Sequence, residues 1–468
     1  MHEIELRTWP LPRVLWIELT SRCPFDCVFC SRKALRGAGE HLDFGLYQRL
    51  ITELEAPQII RLNYAGESGH YPQLAEAVAL AARTGATVEL VSALASLKPE
   101  RLQALLDAGL SRLTVSLHTL DPQRFGEIYR FGTLEAMQAR LQQVLDWRAQ
   151  NTRPFVLDLA FVAMHENLHE LPALAAYAAT LGIEVLAVHP LIGRDPLPMS
   201  TEREHVNGTL RPSFREALAR TLAEARSRAP GVQIQLSSHE LSALPPLAAH
   251  PQPWPAALPP RARIGGCDQS PFDSVHVLAD GRVIVCEVTE KVALGDLKRE
   301  SLRAIWHGPA YRAFRLRHLE GLEAACRTCV YKTAYLPAPP QARLQGAQAA
   351  AEQLLRGWHA DDGSGVRWSG AQAAFWLPAP ARPRELLLEG VLAQAPPTAV
   401  FEVHIDGRRV HRQAHRSGDI RLRLPLPELA RERVTVELSC TPASSPQALG
   451  VGSDARELGF ALVSAELR

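Results

Sequence analysis

Apolar and polar positions alternate in two rhythms along the first half of the chain. Short β-rich apolar runs recur, and amphipathic segments of helical length separate them. The runs are VLWIELT, QIIRLNYA, ATVELVS, RLTVSLH, FVLDLAFV and IEVLAVH, and the intervening segments include LAEAVALAART, PERLQALLDAG, LEAMQARLQQVLDWRAQ and LHELPALAAYAATLG. This succession is typical of parallel βα units. Six repeats predict an α/β fold with a partial (β/α)6 TIM-like barrel rather than the full eight-stranded barrel.

The residues that could bind a ligand or take part in catalysis lie at the carboxyl ends of the predicted strands. Cys23, Gly66, Ser92, His118 and His189 each end or follow one of the apolar runs. In parallel barrels the functional side chains gather at this edge of the sheet. We therefore expect the site to lie among these positions.

The pattern changes twice after the last repeat. A helix over SFREALARTLAEARSRA leads to VQIQL and to a proline-laden stretch, LPPLAAHPQPWPAALPPRAR, which is typical of a linker or extended segment. Asp280-Gly281 within SVHVLADGRVIVC predicts a β-hairpin. From about residue 341, a short Ala-rich helix and six β-runs predict an antiparallel β-sandwich. The predicted domains are the barrel at 1–230, a small domain at 231–340 and the sandwich at 341–468.

Composition argues against several kinds of partner. The 468 residues carry 51 Lys and Arg against 50 Asp and Glu, so no overall field attracts nucleic acid or anionic membranes. No apolar run reaches the roughly 18 residues of a membrane helix, and the start MHEIELRTWP lacks a signal-peptide profile. We expect a cytoplasmic protein with no nucleic-acid partner and no membrane span.

The chain has eight cysteines, and seven of them fall into two groups. In a reducing cytoplasm, grouped cysteines favour metal ligands over disulfides. The eighth, Cys440, lies in a β-run of the C-terminal domain, where we expect a buried structural role.

The first group is a CxxxCxxC motif formed by Cys23, Cys27 and Cys30 directly after VLWIELT. Three thiolates from one loop can bind three irons of a cubane and leave the fourth iron without a protein ligand. Zinc is the alternative, but its structural sites use four ligands and no histidine follows at a suitable interval in this loop. The motif therefore favours an iron–sulfur cluster with one iron open to a substrate or cofactor.

With Phe29 as its aromatic position, this motif resembles the CxxxCxΦC signature of radical S-adenosylmethionine (SAM) enzymes. The resemblance covers roughly residues 14–335. It implies a 4Fe-4S cluster that chelates SAM at its open iron, reductive cleavage of SAM to a 5′-deoxyadenosyl radical, and abstraction of a substrate hydrogen. It also implies a reducing electron donor such as flavodoxin or ferredoxin.

Accessory motifs of this family have weaker counterparts here. The AGES turn within NYAGES matches the centre of the family's GGEP-like turn, so the resemblance implies that Gly66 and Glu67 contact SAM. It also implies that Ser116 touches the ribose and that Phe29 lies against the adenine. An ordinary βα turn is the alternative for NYAGES.

His118 and His189 are the candidate catalytic residues. Both are expected at the barrel mouth, where an imidazole can orient a substrate or transfer a proton. The alternative for each is a structural histidine that is satisfied by hydrogen bonds.

Cys267, Cys286, Cys326 and Cys329 form the second group, with Gly281 five residues before Cys286. This GxxxxC hairpin and the CxxC pair resemble the Twitch domain, a shortened relative of the SPASM extension. The resemblance implies an auxiliary 4Fe-4S cluster in the small domain, with no iron left free for substrate and a role in electron transfer or structural support. Structural zinc is the alternative, because four cysteines with a CxxC pair suit it as well.

The cysteine count favours oxidation among the reactions of relatives with an auxiliary cluster. Epimerases of the common type quench the substrate radical with a cysteine S–H, but here only Cys440 is unassigned. We therefore predict a two-electron oxidation. The base that it requires stays open among His118, His189 and several carboxylates.

A carbohydrate-like small molecule or glycan is the predicted substrate. About the last 110 residues are similar to a β-sandwich attached to bacterial glycosyltransferases, and only 13 residues precede the first strand, where many peptide-modifying relatives carry a leader-binding winged-helix module. Trp358, Trp368 and Trp376 form either a sugar-stacking face or sandwich core.

A peptide or protein substrate is the alternative. A non-catalytic iron–sulfur scaffold in polysaccharide assembly is less favoured, because the cysteine triplet and NYAGES occur together.

Overall fold

A computed structural model divides the chain into two compact units, residues 1–336 and 337–468. The structure describes residues 10–191, 199–206, 209–236, 252–253, 262–267, 269–287, 292–327, 329, 332–335, 339–349, 353–380, 383–393, 398–426 and 433–468. Most of the predicted proline-laden linker therefore lies outside the described residues.

A mostly parallel sheet of ten strands forms the frame of the first unit. The strands up to residue 236 are β1 (Val14–Ile17), β2 (Ile59–Arg61), β3 (Thr87–Ser92), β4 (Arg112–Ser116), β5 (Val156–Ala163), β6 (Val185–Pro190), β7 (His205–Val206), β8 (Thr209–Leu210) and β9 (Gln233–Leu236). Of these, β7 and β8 form a separate two-stranded sheet. Strands β1 to β6 lie side by side in chain order, and β9 pairs in parallel with β6. The predicted α/β fold is confirmed, and VQIQL supplies a seventh parallel strand.

Helices connect these strands, and several begin at the caps that the sequence provides. They are α1 (Arg32–Arg36), α2 (Phe44–Glu53), α3 (Leu74–Ala82), α4 (Pro99–Asp107), α5 (Pro122–Tyr129), α6 (Leu134–Gln150), α7 (Leu171–Thr180) and α8 (Pro212–Arg228). Asp43, Asp121 and Thr133 each accept a hydrogen bond from the backbone N–H three residues later. Such a cap satisfies a donor that the first turn of a helix leaves free.

The parallel strands bury one face and turn the other toward a cavity of about 600 Å³. On β1, Leu15 and Ile17 are fully buried in the core, whereas Trp16 between them lines the cavity. Successive side chains of a strand point to opposite faces, so one residue in two faces inward. Because β1 to β6 and β9 all contribute to the lining, the sheet curves around the cavity as a partial barrel.

The region after the linker contributes further strands and three helices to the first unit. They are β10 (Gln252–Pro253), β11 (Arg263–Cys267), β12 (Ser274–Val277), β13 (Arg282–Ile284), β14 (Ala293–Asp296), α9 (Leu302–His307), α10 (Pro309–Leu319), α11 (Ala324–Arg327) and β15 (Lys332–Tyr335). Strand β12 pairs in parallel with β1, and β13 and β14 continue the same sheet in antiparallel fashion. Strands β10, β15 and β11 form a small separate sheet.

The predicted hairpin lies between β12 and β13. Gly281 in its turn has a φ of +90°, a backbone conformation that glycine adopts without strain. The hairpin therefore places β12 directly beside the first strand of the barrel and β13, which leads to Cys286, one strand further out.

The second unit is an antiparallel β-sandwich, as the β-runs predict. Its strands are β16 (Arg343–Gln345), β17 (Leu354–Trp358), β18 (Arg367–Pro378), β19 (Glu385–Leu392), β20 (Ala399–Ile405), β21 (Arg408–His415), β22 (Gly418–Pro425), β23 (Arg433–Thr441) and β24 (Phe460–Leu467). Strand β18 joins the two layers, because its start pairs with β24 and its end with β23. Phe401 of β20 stacks on Phe460 of β24 at 5.1 Å in the core between the layers.

Two details of the second unit bear on the sequence predictions. The Ala-rich helix is wrong for the described residues, because β16 pairs with β24 and Gly346–Gln348 forms a 3-10 turn. The three tryptophans are all half-buried: Trp358 packs near Phe375, and the Arg433 guanidinium lies 4.5 Å from the ring centre of Trp376. No helix among the described residues is both long and apolar enough to cross a membrane.

Candidate functional site

The cysteine triplet lies in the loop after β1, at the edge of the cavity. Cys23, Cys27 and Cys30 are all partly exposed and line it. The loop is fixed to the end of α5, since the Asp26 N–H donates to the Tyr129 carbonyl and the Val28 N–H to the Ile128 carbonyl. The backbone thus presents all three thiols on one side of the loop.

The three thiols are close enough to influence one another's ionisation. Burial, followed by the neighbouring Cys30 and Cys23 thiols, raises the pKa of Cys27. Burial, followed by the charge of Glu67, raises the pKa of Cys23 to about 11. Three soft donors in one partly open loop fit a cluster that lacks a fourth protein ligand. Binding would displace their protons, because the thiolate is the ligand.

The NYAGES turn after β2 packs directly on the cysteine loop. A Cβ atom at Gly66 would collide with the Thr20 and Arg22 carbonyl groups, and the Glu67 N–H donates to the Arg22 carbonyl at 3.0 Å. The buried Glu67 carboxylate accepts hydrogen bonds from the Gly69 and Ala93 N–H groups. Both predicted cofactor-binding residues therefore lie beside the triplet, with the Glu67 side chain holding two loops together.

Glu18 fixes the same turn, and sequence reasoning missed it. Its buried carboxylate accepts the N–H of Ala65 at 3.3 Å and the N–H of Ala279 at 2.9 Å. The Arg36 guanidinium lies 3.6 Å from it. One carboxylate thus joins β1, the NYAGES turn and the hairpin of the second cysteine group. An acidic residue inside the apolar run VLWIELT was the available signal.

Aromatic rings form one wall of the cavity. The Phe29 ring meets the His118 ring edge-on at 4.9 Å, and the His118 ring stacks on Tyr129 at 5.3 Å. The Tyr129 hydroxyl donates to the Ser116 carbonyl and accepts the His118 N–H. Phe29, Ser116 and His118 are therefore brought together, with Ser116 and Phe29 both lining the cavity.

The two candidate catalytic histidines have different environments. His118 is buried, its Nδ1 accepts the Val162 N–H at 3.1 Å, and burial lowers its pKa to about 3. It is therefore neutral at pH 7, with its proton on Nε2. His189 is exposed to the cavity, and restricted hydration lowers its pKa while Glu287 opposes the shift. His189 is consequently the more basic of the two.

A ladder of alternating charges crosses the deeper part of the cavity. Arg61 Nε lies 2.6 Å from Glu89 Oε2, and Arg112 Nε lies 2.5 Å from Asp158 Oδ2. Arg112 also reaches Glu89, with 4.0 Å between the nearest charged atoms. Strands β2 to β5 supply one member each. Arg61, Glu89 and Arg112 are register partners, and Asp158 lies two residues after the register partner of Arg112. The ladder, defined as Arg61, Glu89, Arg112 and Asp158, is neutral in total.

Asp158, at one end of this ladder, has a buried carboxylate oxygen. Within the described part of the chain, Asp158 Oδ1 is buried and has no hydrogen-bond partner. Burial is the main cause that raises the pKa of Asp158, while Arg112 opposes the rise. Sequence reasoning missed all four residues, although charges at alternate positions of buried strands, as in ATVELVS and FVLDLAFV, marked an inward polar face.

The second cysteine group is assembled from separate elements. Cys267 ends β11, Cys286 follows β13, Cys326 lies in α11 and Cys329 follows that helix. Burial, followed by the other three thiols, raises the pKa of Cys326, so the four sulfurs are neighbours. Four soft donors fit a fully ligated iron–sulfur cluster. As positioned, no group of three or more His, Cys, Asp or Glu side chains in the described residues converges on a single metal ion.

A stacked pair of rings connects the cavity with the second cysteine group. Trp16 lines the cavity and stacks on His276 at 4.6 Å with an interplanar angle of 6°. The buried His276 has Nδ1 2.9 Å from the Val285 carbonyl, so Nδ1–H donates to it. Val285 directly precedes Cys286. The cavity and this thiol are therefore linked by one ring contact, one hydrogen bond and the backbone.

Two family models match the chain in the regions that hold the two cysteine groups. Residues 17–177 match the radical SAM superfamily, and residues 267–330 match SPASM, an iron-sulfur cluster-binding domain. The first range contains the triplet, and the second contains all four cysteines of the other group.

Individual relatives and structures resemble the same part of the chain. PqqA peptide cyclase of Ruegeria pomeroyi is 28% identical over 337 residues, which are 69% of this chain and 80% of that protein. GTP 3′,8-cyclase 1 of Pseudomonas aeruginosa is 30% identical over 39% of this chain and 56% of that protein. The crystal structure of Streptococcus suis SuiB bound to S-adenosylmethionine has a TM-score of 0.50 at 12% identity, covering 68% of this chain and 72% of that one. The last likeness concerns the fold.

Proposed function

The chain belongs to the radical SAM superfamily and carries a SPASM domain, and from this premise we propose that it oxidises a peptide or protein substrate by two electrons. It is an enzyme whose cofactors are a 4Fe-4S cluster, S-adenosylmethionine and an auxiliary iron–sulfur cluster. The observation that carries the peptide substrate is the 28% identity to PqqA peptide cyclase across 80% of that protein.

This substrate differs from the carbohydrate that the sequence predicts. The prediction rested mainly on the resemblance of about the last 110 residues, which the matched family models at 17–177 and 267–330 do not reach. The similarity to PqqA peptide cyclase covers 69% of the chain, whereas that to GTP 3′,8-cyclase 1 covers 39%. The relatives therefore support the predicted alternative, a peptide substrate, better than a small molecule or glycan.

Cys23, Cys27 and Cys30 would hold the SAM-binding cluster at the cavity edge. When bound there, the cluster and SAM supply a radical that removes a hydrogen atom from the substrate. Phe29 and Ser116 line the neighbouring wall, and Gly66 with Glu67 fixes the turn below the loop. We assign these four residues to positioning SAM. A substrate side chain would enter the remaining space, above the charged ladder.

The two histidines take different parts in this reaction. His189, exposed to the cavity and the more basic, accepts the proton that leaves the substrate in the second half of the oxidation. His118 is neutral with its proton on Nε2, and we assign this N–H to hydrogen bonding with the bound substrate or SAM. The contact of Trp16 with His276 leads toward the second cysteine group, whose cluster would take up the remaining electron. The substrate thus loses two hydrogens in total.

The test is 5′-deoxyadenosine formation by the anaerobically reconstituted full chain with reductant and SAM. It compares a pool of peptides with a pool of nucleotide sugars and glycans, and mass spectrometry searches for products lighter by two hydrogens. Stimulation by peptides with such a product is expected. Stimulation by the sugar pool alone would overturn the peptide substrate.

Two variants sharpen the experiment. His189→Gln is expected to retain SAM cleavage but to lose oxidised product, since hydrogen abstraction precedes proton removal. Cys27→Ala is the matched control that loses both. Full product formation by His189→Gln across pH 6 to 9 would assign the base to another residue.

A further inference from the structure

Two buried polar side chains lie against the second cysteine group. His318 is 4% exposed, and its Nδ1 lies 3.4 Å from Cys326 Sγ. Lys332 is 1% exposed, and its Nζ donates to the Cys329 carbonyl at 2.6 Å. Lysine and histidine are costly to bury, so their presence beside four thiols calls for a chemical reason.

Secondary structure fixes both side chains in these places. His318 lies in the last turn of α10, between the rings of Phe314 and Phe272 at centroid distances of 6.3 and 6.4 Å. Lys332 begins β15 and stands directly opposite Cys267 of β11 in the antiparallel register. The two groups therefore approach the cysteines from a helix and from a strand, and neither depends on a long loop.

The electrostatics of the site are consistent with this arrangement. Lysine is ordinarily a cation, and the thiolates that would hold a cluster beside Lys332 favour its charged form. The Nδ1 of His318 lies within hydrogen-bond distance of Cys326 Sγ. When Cys326 is a thiolate ligand its sulfur can only accept, and His318 Nδ1–H is then the donor.

We propose that His318 and Lys332 raise the reduction potential of the auxiliary cluster. Reduction adds one negative charge to a cluster that four thiolates already make anionic. A hydrogen bond to a ligand sulfur and a buried cation both stabilise the more negative state. Both groups are positioning residues for the cluster and touch no substrate.

A higher reduction potential of the auxiliary cluster suits the proposed oxidation. This functional interpretation rests on the proposed function, whereas the effect of His318 and Lys332 on the potential does not. In that oxidation, after hydrogen abstraction, His189 accepts one proton from the substrate radical. The auxiliary cluster, when bound, would accept the one electron that the substrate radical loses. A higher potential favours transfer in this direction and disfavours its reversal.

The experiment measures the potential itself and needs no substrate. In the full chain carrying Cys23→Ala, Cys27→Ala and Cys30→Ala, only the auxiliary cluster remains, and its midpoint potential is titrated by electron paramagnetic resonance. His318→Phe and Lys332→Met are each expected to shift the midpoint to more negative values. The double variant is expected to shift it further. A failed substrate screen would leave these measurements unaffected.

His307→Phe provides the matched control. His307 ends α9, and its pKa is lowered by burial and by nearby arginines, with no thiol among the causes. The control is expected to keep the parent midpoint. Unchanged midpoints in His318→Phe and Lys332→Met, with about four irons bound as in the parent, would overturn the proposal.

A second measurement avoids substitutions that could prevent cluster assembly. Resonance Raman spectra of the unmodified auxiliary cluster are compared in H₂O and D₂O after full exchange. A shift of the iron–cysteine stretching bands is expected, since deuterium replaces the His318 proton that is hydrogen-bonded to sulfur. Identical bands in the two solvents would contradict the hydrogen bond on which the His318 part depends.

Discussion

The two cysteine groups differ in how deeply the surrounding protein buries them. The triplet lies in one loop, is partly exposed, and faces a cavity of about 600 Å³. The second group comes from three places in the chain, and two of its members, Cys286 and Cys326, are buried. The neighbours of the second group include the buried Lys332 and the buried His318. In the triplet, the largest charge effect on the pKa of Cys23 comes from Glu67.

This difference shows how one chain could hold two iron–sulfur clusters with the two proposed roles, binding of SAM and electron transfer. An open site can exchange ligands, because a cavity adjoins it and one coordination position is unclaimed. An enclosed site with four thiols exchanges only electrons, and its surroundings set the potential. The number of thiols and the enclosure around them together support the proposed division between ligand binding and electron transfer.

The largest effect should come from removing one cysteine of each group. Cys27→Ala is expected to lose about four of about eight irons per chain, and SAM cleavage should fall to the level seen without protein. Cys326→Ala should lose a similar number of irons but keep SAM cleavage without substrate. Iron analysis and 5′-deoxyadenosine assays under anaerobic conditions check both.

These two variants also decide between iron and zinc in the second group. About four irons and one zinc in the unmodified chain, with zinc lost in Cys326→Ala, would contradict the auxiliary cluster. Loss of SAM cleavage in both variants would contradict the separation of tasks.

An intermediate effect is expected from breaking the charged ladder. Arg112→Met removes the cation from Asp158, whose carboxylate is then a buried acceptor without its partner, and stability should fall by about 1–3 kcal/mol. Loss of the cation raises the Asp158 pKa further above its unfolded value. Protonation then relieves the penalty, so the variant should regain stability as pH falls from 8 to 5.

Urea unfolding midpoints across this pH range check the ladder prediction. Arg112→Met combined with Asp158→Asn serves as the control and should show no such recovery, because the titrating group is gone. A single variant whose midpoint falls with pH in parallel with the unmodified chain would rule out this account of Asp158.

The smallest effect belongs to the cysteine outside both groups. Cys440 is 3% exposed in the core of the sandwich, and burial raises its pKa to about 11. Cys440→Ala should lower stability by about 1 kcal/mol, typical of a small core truncation, and leave about eight irons in place. Thermal unfolding and iron analysis check this, and any loss of iron would assign Cys440 to a cluster.

Local pattern predicted a large part of this architecture. Alternating runs such as ATVELVS became β3, and ELLLEGVL became β19 over the same residues, because side-chain period and turn residues act over short distances. The cysteine spacings likewise identified the two groups. The sequence therefore predicted the features that depend on a few adjacent residues, such as single strands and the cysteine motifs.

Distant pairings could not be predicted in this way. The run VLWIELT does not predict that β1 pairs with β12, because this pairing depends on two segments that lie far apart in the sequence. The contact of His318 with Cys326 and the register of Lys332 opposite Cys267 arise from helix packing and strand pairing. The Ala-rich helix failed for a related reason, since tertiary pairing of β16 with β24 overrides helix propensity.

The pairing of β1 with β12 has a consequence for biosynthesis. Arg13, just before β1, bonds to Asp273, just before β12, and 260 positions separate them. At roughly 5–20 residues per second, a ribosome needs about 13 to 52 s to make that interval. During this time one edge of the first strand has no partner, and an open strand edge invites pairing with other chains. The nascent protein therefore depends on its late hairpin to close the sheet that its first strand begins.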